Sequence, residues 1–168
     1  SLFLTGGVPL TSDGWVASPD GAFMEEGDRV GVVWDRRWYP VEQTVRDPLT
    51  GIVFFKVRAS GFPLTPFSRS ESLQRGDLLI GYDHSGAFTR VSVASVRMVE
   101  APDAVHSSER IDAFPRIDEV PSGMPMFNAR GELVGMSLGG EKLLPAKFIE
   151  DALKMILKEG KVRRPFFG

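Results

Sequence analysis

The apolar residues of this chain come in short runs, and glycine and proline fall singly between them. This punctuation limits the fold more than any other feature. With 18 glycines and 12 prolines in 168 residues, long helices are interrupted over most of the chain. Short apolar runs bounded by turn formers read as β-strands. They are Val8-Pro9-Leu10, Trp15-Val16-Ala17, Val30 to Trp34, Trp38 to Val45, Ile52 to Val57, Leu78-Leu79-Ile80, Thr89 to Val99, Pro125-Met126-Phe127 and Leu133 to Met136. Val91, Val93 and Val96 step out of strict alternation, which predicts a bulge or twist. Asn128-Ala129-Arg130-Gly131 predicts a tight hairpin turn.

One segment has a different period. From Ala146 to Glu159, Phe148, Ile149, Ala152, Leu153, Ile156 and Leu157 recur at helical spacing, with charged residues filling the other face. Pro145 suits a helix start and Gly160 a helix stop. The expectation is an all-β chain closed by one C-terminal helix. Its core should include Val32, Val53, Phe55, Leu79, Val93, Met126, Val134, Phe148, Ala152 and Ile156.

Composition removes several functions. Acidic and basic residues number 22 and 20, so the basic surplus of a general nucleic-acid binder is missing. No apolar run is long enough to span a bilayer, so this segment itself makes no expected membrane contact. Ser1-Leu2-Phe3-Leu4 has neither a basic region nor a cleavage site, and reads as the edge of a longer protein. Cysteine is absent, which excludes disulfides, zinc thiolates and cysteine nucleophiles.

Few residues offer chemistry. The two histidines, His84 and His106, sit in loop-like contexts without a ligand spacing, so solvated loop histidines are the simpler reading and a metal site the sharper one. Gly135 to Gly140 lacks the Lys-Ser/Thr of a phosphate loop. The expectation is no cofactor and no metal. Lys158, Lys161, Arg163 and Arg164 cluster at the helix end, where the helix dipole favours cations.

The informative stretch is Val120-Pro121-Ser122-Gly123-Met124-Pro125-Met126-Phe127-Asn128 followed by Gly131-Glu132-Leu133-Val134-Gly135-Met136. It resembles the nucleophile loop of trypsin-fold serine proteases, most closely their HtrA/Deg branch. Other stretches resemble the same family in order. Leu4 to Val8 and Thr11 to Val16 resemble its opening Gly-rich hairpin. Arg46-Asp47-Pro48-Leu49 with Ile52 to Val57 resembles the strand after the catalytic Asp, and Leu73 to Asp77 a Leu-x-x-Gly-Asp turn. Pro145 and the helix, then Gly160 to Pro165, resemble the exit toward a PDZ domain. The resemblance implies a trypsin-like double antiparallel β-barrel, with six strands in each barrel, over residues 1–160. Residues 161–168 would be an exit segment.

The same resemblance places Ser122 at the nucleophile position. Gly21 stands where the family has its His, at the end of Gly14-Trp15-Val16-Ala17-Ser18-Pro19-Asp20. Gly51 stands where the family has its Asp, opening Gly51-Ile52-Val53-Phe54-Phe55. Asp20 and Asp47 are near these positions but not on them. Val120 occupies a position that is normally Gly, because its N–H must point into the oxyanion hole from a backbone shape that β-branched residues tolerate poorly. Losing one such donor costs roughly 10²–10³ in rate. Met124 replaces a second glycine, and the pocket segment between Ser137 and Pro145 is short.

A serine without its base is a weak nucleophile. The resemblance therefore implies a pseudoprotease that binds, scaffolds or regulates through a protein or peptide partner. A bacterial periplasm or cell envelope is the implied compartment, and oligomerisation is left open. Two other readings stay open. One is a residually active serine endopeptidase whose Ser122 uses Lys56, Lys142 or His84 as base. The other is a metal- or ligand-binding module on a relic protease fold.

Overall fold

A computed structural model of the chain describes residues 6–19, 29–68, 73–83, 85–99, 110–115, 123–137 and 143–163. Among them run β1 (Val8–Pro9), β2 (Trp15–Pro19), β3 (Gly31–Trp34), β4 (Arg37–Arg46), β5 (Ile52–Val57), β6 (Leu78–Tyr82), β7 (Phe88–Val99), β8 (Arg110–Pro115), β9 (Pro125–Phe127), β10 (Leu133–Ser137), β11 (Leu143–Pro145) and α1 (Ala146–Glu159). The strands form two antiparallel sheets. One has five strands in the order β1-β2-β5-β4-β3, the other six in the order β11-β10-β9-β6-β7-β8. The all-β expectation with one C-terminal helix holds. A sixth strand for the first sheet is not among the described residues. The sequence reading also passed over β8 and β11.

Strand β5 is the spine of the first sheet. Its Ile-Val-Phe-Phe-Lys-Val run is apolar without alternation, as expected of a strand covered on both faces, and Ile52, Val53, Phe54, Phe55 and Val57 are all buried. Ile52 and Phe54 join one core cluster, while Val57 joins a second with Val16 and Phe62. Trp34 and Tyr39 close this second cluster, their rings 4.6 and 5.4 Å from that of Phe62. Val32, expected in the core, is only partly buried there.

A bulge lets β4 serve both clusters. Its register against β5 shifts between Val41 and Gln43. An extra residue reverses the faces of everything beyond it. Val41 therefore packs beside Val57, and Val45, which simple alternation would put on the same face, packs beside Phe54.

The second sheet packs Leu79, Val91, Val93, Met124, Met126, Val134 and Leu143 together. The β7–β8 register shifts between Val93 and Val96, where broken alternation predicted a bulge or twist. The β9–β10 hairpin turns at Asn128–Gly131, with Gly131 N–H donating to the Asn128 carbonyl at 3.0 Å and Gly131 at φ 76°. The Asn128 side-chain oxygen accepts from the N–H groups of Arg130 and Glu132, each at 3.0 Å.

Helix α1 joins the sheets. Ala146, Ile149, Ala152, Leu153 and Ile156 pack in one cluster with Leu10, Trp15, Ile52 and Phe54 of the first sheet and Leu133, Met136 and Leu144 of the second. Pro145 ends β11 in extended backbone and enters the helix, and Gly160 closes it at φ 75° with its N–H on the Ile156 carbonyl at 2.7 Å. Phe148 is partly buried and Leu157 is exposed, so the apolar stripe is narrower than the sequence pattern. The connection between the sheets also binds back. Leu133 N–H donates to Pro66 O and Ser68 N–H to Leu133 O, at 2.7 and 2.8 Å.

The β1–β2 turn shows what a glycine does in such close packing. Gly14 has φ 107°, and a methyl group on it would stand 2.2 Å from the Val57 carbonyl oxygen. Val57 N–H in turn donates to Gly14 O at 3.0 Å. Gly14→Ala should therefore destabilise the fold by about 3 kcal/mol or more, since it adds a backbone clash to left-handed strain. Gly131→Ala, at φ 76° but with open space around it, should cost only about 1–2 kcal/mol. Urea unfolding of the two variants checks the difference.

Candidate functional site

Strand register sets the surroundings of Gly51, one of the positions singled out from the sequence. In the β2–β5 pair Trp15 lies opposite Lys56, Ser18 opposite Val53 and Pro19 opposite Ile52. Gly51 precedes Ile52, and the chain leaving Pro19 leads on to Gly21. Gly51 thus lies at the Pro19 end of this strand pair. Gly21 itself lies outside the described residues.

The second sheet meets the first at that end. The Ser18 hydroxyl donates to the Gly6 carbonyl at 2.8 Å. A methyl group on Gly6 would stand 2.7 Å from the Gly123 carbonyl oxygen, so the two backbones touch. Gly123, at φ 89°, is the residue after Ser122. Its N–H donates to Ser137 O at 2.8 Å, and the next N–H, of Met124, donates to the buried Ser137 hydroxyl at 3.1 Å. Ser137 N–H returns a bond to Met124 O at 2.9 Å. The segment after Ser122 is thereby fastened to β10. Ser137 was not singled out from the sequence, because a serine at a strand end carries no distinguishing signal.

Gly51 itself is well defined. It has φ 73° and donates its N–H to Asp47 O at 3.0 Å. It has no side chain with which to orient a base. Asp47, the carboxylate nearest in sequence, is 1% exposed. Its two oxygens accept from Leu49 N–H at 3.0 Å and from the Thr50 hydroxyl at 2.8 Å. Thr50 in turn accepts from Ile52 N–H at 3.3 Å, and Asp47 N–H donates to Ile52 O at 2.9 Å. Asp-Pro-x-Thr-Gly is a turn signature in which the aspartate binds its own backbone, and Asp47 is used that way.

The alternative bases fare differently. Lys56 is held at the far end of the strand pair, where its Nζ donates to the carbonyls of Asp13 and Val57 and lies 3.9 Å from the Asp13 carboxylate. Pro19 lies four residues along β2 from Trp15, the partner of Lys56, a span of about 13 Å. Lys142, His84 and His106 lie outside the described residues, as do Val120 and Ser122. Among the described residues no cluster of histidine and carboxylate side chains fits a metal ion, and no helix is long and apolar enough to cross a membrane. Met124 is buried in the second-sheet core, its sulfur 2.5 Å from where a Cβ on Gly81 would stand.

The two antiparallel sheets and the C-terminal helix have a trypsin-like fold. Within that class, the chain resembles the protease domain of the HtrA/Deg branch. It is 24% identical over 181 aligned positions to a "Probable periplasmic serine endoprotease DegP-like" of Pseudomonas putida (strain GB-1), covering 98% of this chain and 37% of the relative. It is 22% identical to the serine endoprotease DegS of Haemophilus influenzae, covering 98% of this chain and 53% of that one. Among solved structures, an HtrA-type protease AlgW with a decapeptide superposes with a TM-score of 0.73 at 19% identity, covering 96% of this chain and 54% of the other. The chain thus spans between about a third and a half of the length of these proteins. No family model matches it.

The Asp47 turn generates a test. Asp47→Ala leaves a part-buried N–H and a buried hydroxyl without their acceptor, and should cost about 2–3 kcal/mol. Asp47→Asn keeps one carbonyl acceptor and should cost less. Thermal and urea unfolding of both variants measures the order.

Proposed function

We propose that this chain is a catalytically inactive HtrA-like protease domain whose role is to bind, scaffold or regulate. The observation that carries the reading is Gly51, a residue without a side chain at the place where the resemblance puts the orienting carboxylate. Both oxygens of Asp47, the nearest carboxylate in sequence, accept bonds inside the turn that presents Gly51. Gly21 at the position of the base points the same way. The relatives named above are endoproteases by name, so the proposed reading sets this chain apart from them.

Binding is the part of protease function that survives loss of the triad, because it rests on backbone and pocket shape and not on proton transfer. An HtrA-type neighbour solved with a decapeptide supports a peptide as the class of partner. Relatives named as periplasmic support a cell-envelope setting. In this reading residues 1–160 form one protease-like domain and 161–168 lead away from it. No metal or cofactor takes part. Lys56, tied to the β1–β2 turn, weakens the case for an active hydrolase with an unusual base.

Three assays test the reading. The chain should not cleave casein, and a fluorophosphonate probe should leave Ser122 unlabelled. Gly21→His alone should not restore cleavage, since Gly51 and Val120 remain and the parts of a triad act as a unit. Ser122→Ala should shift stability by less than about 1 kcal/mol. Proteolysis by the unaltered chain that disappears in Ser122→Ala would overturn the proposal.

A further inference from the structure

We draw no further inference here: the strongest candidate, the apolar patch of Leu78, Tyr82 and Phe88 exposed on the face of the second sheet opposite its Leu79–Val91 core, carries nothing because nothing in the structure shows what covers it.

Discussion

The packing of Ile52 and Phe54 against α1 and β10 is the contact on which the rest of the molecule depends. It lies where the two sheets meet, and a single cluster runs through it from Val8 to Ile156. Each large apolar side chain buried there stabilises the fold by about 1.5–3 kcal/mol relative to exposure. The same contact sets the position of the corner around Gly51. With β5 anchored on that core, its first residue, Ile52, has a fixed place, and Gly51 and the Asp47 turn hang from it. The second sheet brings Gly123 up to Gly6 because β10 and β11 share the cluster. Site geometry here is a consequence of inter-sheet packing, and the local turn only completes it.

Close approach of backbones sharpens that geometry. At Gly135 a side chain would meet the Leu144 carbonyl oxygen at 2.3 Å, and at Gly81 it would meet the sulfurs of Met124 and Met126. In the first case a glycine lets β11 lie tightly on β10, so that α1 begins within reach of the first sheet. In the second it makes room for two flexible thioethers, which fill irregular space well. Met124 thus has a packing role in the second-sheet core.

The legible parts of the sequence were those with a strong local signal. The period of Ala146 to Glu159, bounded by Pro145 and Gly160, gave the helix its observed limits. Ile52 to Val57 and Pro125 to Phe127 gave two strands with their observed ends, and broken alternation at Val93 and Val96 marked a real shift of register. Strand β11 was missed because its three residues run straight into the helix. Nor did alternation in β4 tell which cluster Val45 would join, since a bulge changes parity without changing composition. The corner was legible only through resemblance. Nothing local in a Thr-Gly-Ile sequence ties it to a catalytic position, whereas the register that places Gly51 beside the end of β2 is a long-range property. Asp47 was noticed and left without a role, although its turn chemistry was readable from Asp-Pro-x-Thr-Gly.

In the proposed reading, the groups that hold this fold together are separate from those that would make it a catalyst. The Asp47 carboxylate, the Ser18 hydroxyl and the Ser137 hydroxyl are buried polar groups with partners, and each holds backbone in place. Gly51 sits at φ 73°, a conformation that costs most L-residues about 1–2 kcal/mol and glycine almost nothing. Active sites commonly store strain of this kind, and its release favours stability at the expense of activity. In the proposed reading, glycine at position 51 removes the function of the corner and at the same time relaxes the turn that presents it. Loss of catalysis then carries no folding penalty at this position, and the inter-sheet core is left free to support surfaces elsewhere on the domain.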